Sequence, residues 1–421
     1  MSPSSTPVRA SRPTGEGRVE RATRLTAGAI VAIAVGGAVA AASIGLGAGM
    51  VAIARKIVTP ARKRSDDVTI HGAELDGSTG VVTLRSTPDT RLVGDYSFWF
   101  DRGRGHARLG AIVSDDGRRI TRVVTDVTGG DLATARSGRV GGWLYTSPAD
   151  AGFETVDVIV TTPLGGAPAW LVPAEGGLEG PWMIGVHGRG VTRAETIRSL
   201  PVFHRASYTS LLVSYRNDGE APRSVDGRYG LGDTEWEDVE GALAYAVDHG
   251  ATSIVLMGWS MGGATVLQVV TRARLREFVA GVVLESPVVD WRTTLRFQGA
   301  EMRVPGVVQE LVMRLLQSPR LSRVSGRATP IDFDRLDFAR RADALDVPIL
   351  LLHSDDDGFV PSTASHALAE ARPDLVTFEV FDTARHTKLW NYDPERFDRV
   401  IADWLARLRP ATVRRGRSGR P

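Results

Sequence analysis

The segment Ile254–Val270, IVLMGWSMGGATVLQVV, decides how the rest of the chain is interpreted. An apolar, β-branched run stops at Gly258, a single Ser260 follows, and apolar residues return after Gly262 and Gly263. This pattern is typical of a strand that turns sharply into a helix. Two hypotheses explain it: a plain tight turn, or a turn that holds Ser260 as a nucleophile above the edge of a sheet.

Residues 258–262, GWSMG, fit the pattern G-x-S-x-G. Small residues two positions before and after the serine leave room for the strained backbone that lifts its hydroxyl above the strand ends. A chain with 46 glycines can match such a pentapeptide by accident. Here the strand before it and the helix after it supply the required context, so we expect Ser260 to occupy such a turn.

The composition is that of a globular protein. The chain has 421 residues, of which 43% are hydrophobic and 24% are charged, enough for one large domain with additional segments. A formal net charge of +2 does not indicate a nucleic-acid partner. The absence of cysteine excludes disulfides, thiolate catalysis and Cys-ligated metals. The eight histidines form no H-E-x-x-H pair or cluster at ligand spacing, so we predict no metal and no other cofactor.

A segment of thirty uncharged residues, 25–54, precedes the globular part of the chain. About twenty apolar residues suffice to span a bilayer, so we predict a single-pass transmembrane helix with the lipid bilayer as a partner. A cleaved signal peptide is the alternative, although its apolar core is usually about half as long. Five basic residues lie close to each end, so charge gives no preferred orientation, and by default we expect an extracytoplasmic catalytic domain. Residues 1–24 and 410–421 are predicted to be basic tails.

Residues 65–150 contain short apolar and alternating runs separated by turn residues. Asp116-Gly117 lies between two alternating segments and indicates a hairpin. His71 and His106 are isolated, and no cluster of catalytic residue types occurs here. We predict a small β-rich accessory region and assign it no function.

From residue 151 to 409, continuously apolar runs alternate with helical patterns. Such runs are expected of strands that are buried on both faces, and Asp233 and Asp393 are candidate caps for two of the helices. The alternation predicts an α/β fold with a mostly parallel sheet flanked by helices. In such a sheet, ligands bind at the carboxyl ends of the strands.

A serine hydroxyl is a weak nucleophile and needs a base, which in turn needs a carboxylate to orient it. The run VPILLLHSDDDGFVP ends a predicted strand and offers Asp355, Asp356 and Asp357. The run FEVFDTARHTKLW offers His386 after the last strand. The order serine, acid, histidine is therefore present, with three candidates for the acid.

With these motifs in order, the chain from about residue 155 to 409 resembles the α/β-hydrolase superfamily. Within it the chain resembles the serine aminopeptidase-like and prolyl oligopeptidase-like hydrolases, which include membrane-anchored bacterial members. Those proteins commonly carry His-Gly-x-x-Asp-x-x-Val-Pro after the seventh strand, and Ser354 replaces the glycine here. The positions that match are His353, Asp357, Val360 and Pro361. The resemblance implies an α/β-hydrolase fold with Ser260, Asp357 and His386 as catalytic triad.

The resemblance also implies an oxyanion hole made by the backbone N–H groups of Met261 and of Arg189, in the loop GVHGRG. His187 in that loop is interpreted as shaping it, with a metal ligand or a base as alternatives. Arg216 and Asn217 follow another strand end and, with His187 and Trp259, are the possible substrate-pocket residues. Arg216 binds a substrate carboxylate in one interpretation and forms a structural ion pair in the other.

Residues 292–345 contain two helical patterns between strands and, on this fold, are expected to form a small lid. The alternative is that these helices only cover the sheet.

The function predicted from all these features is that of a membrane-anchored serine hydrolase. It would cleave a small-molecule ester, thioester or amide through an acyl-enzyme on Ser260, with a carboxylic ester favoured. The alternatives are a serine peptidase of the same fold and a catalytically silent anchored binding protein. The sequence makes no prediction of the oligomeric state.

Overall fold

The computed structural model describes residues 47–60 and 65–408. It divides the chain into two compact units, residues 1–53 and 54–421. In the first unit, only residues 47–53 are described, and they are helical. The second unit begins with the helical residues 54–58, which are named α1 here.

The predicted transmembrane segment 25–54 falls largely on residues that the structure does not describe. Residues 25–46 lie outside the described part of the chain, and so do the predicted tails 1–24 and 410–421. Among the residues that are described, no helix is both long enough and apolar enough to cross a membrane. The transmembrane helix therefore stays a prediction.

Six antiparallel strands form the β-rich region that the sequence predicts. They are β1 (Val68–Asp76), β2 (Thr79–Arg85), β3 (Tyr96–Phe100), β4 (Gly105–Asp115), β5 (Arg119–Gly129) and β6 (Ser137–Gly141). They close into a barrel in the order β1-β2-β5-β4-β3-β6, around a core that includes Leu84, Phe98 and Phe100. Asp116 and Gly117 form the turn between β4 and β5, where Gly117 adopts a φ of 86°. The predicted hairpin is thus present, within a barrel that closes on itself.

Eight further strands form one sheet with the order β14-β13-β12-β11-β9-β10-β8-β7. They are β7 (Val156–Thr162), β8 (Gly165–Val172), β9 (Gly180–Val186), β10 (Thr209–Val213), β11 (Ala251–Trp259), β12 (Val279–Glu285), β13 (Ile349–Ser354) and β14 (Val376–Phe381). Strands β9 to β14 run parallel, whereas β8 pairs antiparallel with both β7 and β10 at one edge. Every residue of β10, β12 and β13 is buried, which explains their continuously apolar sequences. The predicted α/β fold with a mostly parallel sheet is confirmed.

Helices cover both faces of the sheet and follow the strands in alternation. They are α2 (Leu200–Arg205), α3 (Trp236–Asp248), α4 (Met261–Arg272), α5 (Trp291–Glu301), α6 (Gly306–Gln317), α7 (Thr363–Ala371), α8 (Leu389–Tyr392) and α9 (Pro394–Arg407). Asp393 caps α9 by accepting from the Arg396 amide, as predicted. The other predicted cap is wrong, because the Asp233 carboxylate binds the guanidinium groups of Arg272 and Arg335 instead.

The region 292–345, predicted to be a helical lid, contains α5 and α6. The first predicted helical pattern is interrupted near Pro305, which separates these two helices. The second pattern, residues 335–345, forms only the short 3-10 helix Ala342–Ala344. Charged side chains make up much of that second pattern, and three consecutive residues, 336–338, are buried, which a single face of a helix does not provide.

The barrel is tied to the sheet domain through one buried side chain, Asn391 of α8, which is 1% exposed. Its Nδ2 donates to the carbonyl oxygens of Asp95 (2.7 Å) and Gly142 (2.9 Å). Its Oδ1 accepts from Arg198 Nη1 at 2.7 Å. The backbone carbonyl of Asn391 accepts in turn from the Asp95 amide. Asn391 thus joins α8 to the barrel and to Arg198, which precedes α2.

We expect Asn391→Ala to lower the free energy of unfolding by roughly 3 kcal/mol, because two carbonyl groups and one guanidinium N–H lose their partner in a buried place. Urea unfolding, monitored by tryptophan fluorescence, measures this loss. Asn391→Asp is the matched variant, since it keeps the acceptor for Arg198 and replaces the two donated bonds with a carboxylate oxygen that faces two carbonyl oxygens. Equal stability of Asn391→Ala and the wild type would contradict the role given to this residue.

Candidate active site

Ser260 lies between the last residue of β11 and the first residue of α4, with φ 53° and ψ −115°. A non-glycine residue with positive φ is strained, and the surrounding structure has to hold it there. Here the Ser260 amide donates to the Glu285 carbonyl at 3.0 Å, and the Ser260 carbonyl accepts from the Gly263 and Val288 amides at 3.0 Å each. The backbone of the serine is therefore fixed on both sides.

The two flanking glycines are required by close backbone approach. A Cβ on Gly258 would lie 2.7 Å from the carbonyl group of Gly262. A Cβ on Gly262 would lie 2.1 Å from the Val186 carbonyl oxygen and 2.5 Å from that of His187. Helix α4 can approach β9 this closely only because Gly262 has no side chain, and it can approach β11 this closely only because Gly258 has none.

The structure brings Ser260, His386 and Asp357 together in a hydrogen-bonded chain. Ser260 Oγ lies 2.9 Å from His386 Nε2, and His386 Nδ1 lies 2.7 Å from Asp357 Oδ2. The Asp357 side chain is fully buried, and its Oδ1 accepts from the amides of Phe359 and Val360 at 2.9 Å each. A neutral imidazole with its proton on Nδ1 donates to Asp357 and accepts from the serine hydroxyl in this geometry.

Burial would raise the pKa of Asp357, but two nearby imidazoles reverse that effect. Attraction to His386 and hydrogen bonds from His353 and His386 hold the pKa of the Asp357 carboxyl well below its usual range. Asp357 therefore stays ionised at neutral pH, as a group that orients a histidine must.

The two other aspartates in the run point elsewhere. Asp355 accepts from Ser362 and lies 2.9 Å from His366 Nε2, and Asp356 pairs with Arg385. Of the three candidate acids, Asp357 is thus the one in contact with His386.

The loop after β9 lies directly against the serine. A Cβ on Gly188 would lie 3.3 Å from Ser260 Cβ, and the Gly188 amide donates to the buried Glu195 carboxylate at 2.7 Å. Tyr215 Oη donates to the carbonyl oxygens of His187 (3.0 Å) and Gly188 (2.8 Å). The Gly188 amide is therefore already hydrogen-bonded. The next amide in this loop, which could still bind a substrate oxygen, is that of Arg189.

The amides of Arg189 and Met261 have no hydrogen-bond partner within residues 47–60 and 65–408. Met261 is the first residue of α4, where amides have no acceptor inside the helix. Both residues flank Ser260, one in the next chain position and the other in the loop against it. The two amides predicted to form an oxyanion hole thus have no other acceptor among the described residues.

The four predicted pocket residues do not line the cavities beside Ser260, and this part of the sequence prediction is corrected. Arg216 forms ion pairs with Asp238 and Glu237. Asn217 binds Ser224 and the Arg228 carbonyl within its own loop. His187 is fully buried, stacks on Tyr215 and contacts Asp218, and Trp259 donates its indole N–H to Glu285. Each side chain is turned inward to a partner that the sequence does not reveal.

Two cavities meet at Ser260. The larger measures about 390 Å³, and the smaller measures about 30 Å³. The larger is lined by Asp89, Val140, Gly141, Gly142, Trp143, Gly188, Arg189, Val191, Glu195, Ser260, Gly358, Phe359, Arg385, His386, Thr387 and Lys388. The smaller is lined by Ile57, Arg189, Ser260, Val288, Trp291, Thr294, Leu295, Gln298, Phe359 and Val360.

Sequence reasoning missed the contributions of α1 and of the barrel to these cavities. Ile57 reaches the smaller cavity from before the barrel, and Asp89 and residues 140–143 reach the larger one. No motif marks any of them, because they are distant from Ser260 along the chain. In the described part of the chain, no group of three or more His, Asp or Glu side chains is placed to hold a metal ion.

The family model described as "Alpha/beta hydrolase family" matches residues 183–400, just over half of the chain. A second model, "Domain of unknown function (DUF8805)", matches residues 69–141, which is the barrel. A search of curated protein sequences gave no match.

Solved structures similar to this chain include three bacterial or archaeal esterases. That of Pyrococcus furiosus is 18% identical with a TM-score of 0.48, covering 62% of this chain and 96% of that chain. The esterase RhEst1 of Rhodococcus sp. ECU1013 is 19% identical with a TM-score of 0.42, covering 61% of this chain and 99% of that chain. The thermophilic esterase of Thermogutta terrifontis is 20% identical with a TM-score of 0.41, covering 60% and 98%.

We expect Gly262→Ala to destabilise the protein by about 3 kcal/mol, because the new methyl group would overlap two carbonyl oxygens that cannot move independently. Thermal unfolding measures the change. Gly176→Ala is the matched control, since a Cβ there has no atom within 4 Å and the backbone does not have positive φ. If both variants unfold at the same temperature, the close approach of β9 and α4 does not constrain residue 262 to glycine.

Proposed function

Because the chain belongs to the alpha/beta hydrolase family, we propose that it is a serine hydrolase that cleaves a carboxylic ester. The observation that carries this proposal is the chain of contacts from Ser260 Oγ to His386 Nε2 and from His386 Nδ1 to Asp357. Thioesters and small amides react by the same chemistry and belong to the same proposal. Acyl transfer to an alcohol is the variant in which an acceptor replaces water.

In the first half of the reaction, Ser260 Oγ attacks the carbonyl carbon of the ester while His386 Nε2 takes the hydroxyl proton. The ionised Asp357 stabilises the imidazolium that forms, without taking the proton itself. The negative charge that develops on the carbonyl oxygen would be met by the amides of Met261 and Arg189. Loss of one such donor typically costs about 3 kcal/mol of transition-state stabilisation.

Collapse of the tetrahedral intermediate breaks the bond to the leaving oxygen, which receives its proton from His386 Nε2. This step leaves an acyl group on Ser260 and a neutral histidine. Water then attacks the acyl-enzyme with His386 as base, and a second collapse releases the acid and restores the serine hydroxyl. No other titratable group has to take part.

A fluorophosphonate probe is expected to label Ser260 in the full-length protein and not in Ser260→Ala. His386→Ala and Asp357→Asn should lower kcat on p-nitrophenyl acetate by about 10⁴-fold, as is typical of removing one member of such a triad. Ser210→Ala is the matched control, because Ser210 is also buried in the sheet and its hydroxyl has no partner within the described residues. Mass spectrometry of the labelled peptide and steady-state kinetics are the measurements.

Each alternative function gives a different result in these assays. A catalytically silent binding protein would not be labelled, or would be labelled equally after Ser260→Ala. A peptidase of the same fold would be labelled but would cleave aminoacyl naphthylamides faster than p-nitrophenyl esters.

We propose further that residues 25–54 anchor the protein in a bilayer as a single-pass helix, with the hydrolase domain outside the cytoplasm. The support is the sequence alone, thirty residues without a charge.

Ala34→Asp combined with Val39→Asp should release the protein into the soluble fraction, because each central charge costs about 3 kcal/mol on insertion. Alkaline extraction measures the anchoring, and a C-terminal reporter that is active only outside the cytoplasm measures the side. A mature N-terminus inside residues 25–54 would instead support a cleaved signal peptide.

A further inference from the structure

The two cavities at Ser260 differ in size and in chemistry. The smaller is walled mainly by apolar side chains, among them Ile57, Val288, Trp291 and Leu295. The larger has more than ten times the volume, and charged side chains line it. A substrate whose reacting carbon lies at Ser260 Oγ must place one part in each cavity.

The position of His386 decides which part of an ester goes where. His386 lines the larger cavity and does not line the smaller one. The leaving oxygen has to receive its proton from His386 Nε2, so the alcohol part must lie on the side of the histidine. The larger cavity therefore takes the alcohol, and the smaller cavity takes the acyl group.

The smaller cavity has walls that are tied to the rest of the domain. Trp291 Nε1 donates to the Leu231 carbonyl at 2.8 Å, and Gln298 Nε2 donates to the Phe359 carbonyl at 3.1 Å. A cavity of about 30 Å³ has room for one or two water-sized groups. An acyl chain of a few carbons fits such a space, and a long chain does not.

Ile57 closes this cavity from the side of α1, and its position is fixed by the backbone around it. The Tyr229 amide donates to the Val58 carbonyl at 2.8 Å. Arg189 Nη2 donates to the Lys56 carbonyl at 2.8 Å and to the Thr59 carbonyl at 3.1 Å. The segment that carries Ile57 is thus bound to the same loop that offers the Arg189 amide.

The larger cavity is suited to a polar alcohol. Lys388 Nζ lies 3.3 Å from Asp89 Oδ1, and Arg385 Nε lies 4.0 Å from the same oxygen. Glu195 and the backbone of residues 140–143 line the cavity as well. Hydroxyl groups can both donate to the carboxylates and accept from the cations of such a surface, whereas an alkyl chain would bury these groups without partners.

We propose that the substrates are esters of a short acyl group with a bulky, polyhydroxylated alcohol, and that Ile57 limits the length of the acyl chain. This inference rests on the proposed serine hydrolase function. It adds that Ile57 forms a wall of the acyl site and that the barrel forms a wall of the alcohol site.

The acyl side is tested with p-nitrophenyl acetate, butyrate and octanoate on the full-length protein. The wild type should show a kcat/KM on octanoate at least roughly 10-fold below that on the better of the two short esters. Ile57→Ala should raise kcat/KM on octanoate relative to acetate by about 10-fold, since it opens the end of the cavity. Ile159→Ala is the matched control, because Ile159 is 63% exposed on β7 and does not line the smaller cavity.

The alcohol side is tested with sucrose monoacetate and decyl acetate, which share the acyl group. We expect kcat/KM to be higher for the sugar ester by about 10-fold or more, because an alkyl alcohol would leave the charged groups of the larger cavity without partners. Preference for decyl acetate, preference for octanoate by the wild type, or an unchanged chain-length profile in Ile57→Ala would each overturn the inference.

Failure of the proposed function itself is recognised separately. In that case the fluorophosphonate probe does not label Ser260 in the wild type or in Ile57→Ala. If the probe labels Ser260 in both proteins and the ester preferences are not as stated, the hydrolase function stands and only the substrate class is wrong.

Discussion

The structure depends on the close approach of β9 and α4 beneath Ser260. Gly262 lies so near the carbonyl oxygens of Val186 and His187 that no side chain fits between them. This approach places the first turn of α4 against the loop after β9, so that the Met261 amide and the Arg189 loop flank the same serine hydroxyl. Positive φ at Ser260 follows from the same geometry, because the chain has to reverse within one residue. The strain is held by four backbone hydrogen bonds of Ser260 itself.

A buried polar network behind the serine holds the histidine loop in place. Glu285 accepts from the indole of Trp259 and from the Leu389 amide, and its backbone carbonyl accepts from Ser260. Burial raises the pKa of Glu285, although the positive charge of Arg198 acts in the opposite direction. Arg198 in turn donates to the Thr387 carbonyl, next to His386. Ser260 and His386 are therefore positioned by one connected set of contacts.

The same network extends into the barrel through Asn391, which binds Arg198 on one side and Asp95 and Gly142 on the other. The barrel and the histidine loop thus share partners, and Lys388 and Arg385 pair with Asp89 across the larger cavity. The region that the sequence predicts only as accessory thus contacts the loop that carries His386 and lines the larger cavity. Its structural effect is to fix one wall of the cavity.

The sequence predicts those features that depend on local patterns. Continuous apolar runs predict the parallel strands, and the spacing around Ser260 predicts its turn, because both patterns follow from neighbours along the chain. The order of Ser260, Asp357 and His386 follows from the positions of strand ends. The resemblance to a known family, and not the run of three aspartates itself, singles out Asp357.

The features that the sequence does not predict depend on partners far along the chain. Closure of the barrel requires β1 to pair with β6, and nothing in either strand indicates that pairing. Arg216 is turned away from the cavity because Asp238, twenty-two residues later, satisfies it in a buried site. Asp233 fails as a helix cap for the same reason, since Arg335 is 102 residues away. A charged side chain turns toward the partner with which it forms the strongest hydrogen bonds, and in both cases that partner is distant in sequence.

The position of residues 54–60 has a consequence for where the catalytic domain begins. A chain shortened to start after Pro60 would keep every residue of the triad and of both strand-end loops. It would lose Ile57 from the smaller cavity, together with the Lys56 and Thr59 carbonyl oxygens that accept from Arg189. Burial lowers the pKa of the Arg189 guanidinium, and these two carbonyl oxygens hold its side chain, so their loss would leave the side chain and its loop less firmly positioned. The backbone amide of that residue is one of the two offered to the oxyanion. A segment that precedes the hydrolase domain in sequence is therefore part of the proposed active site.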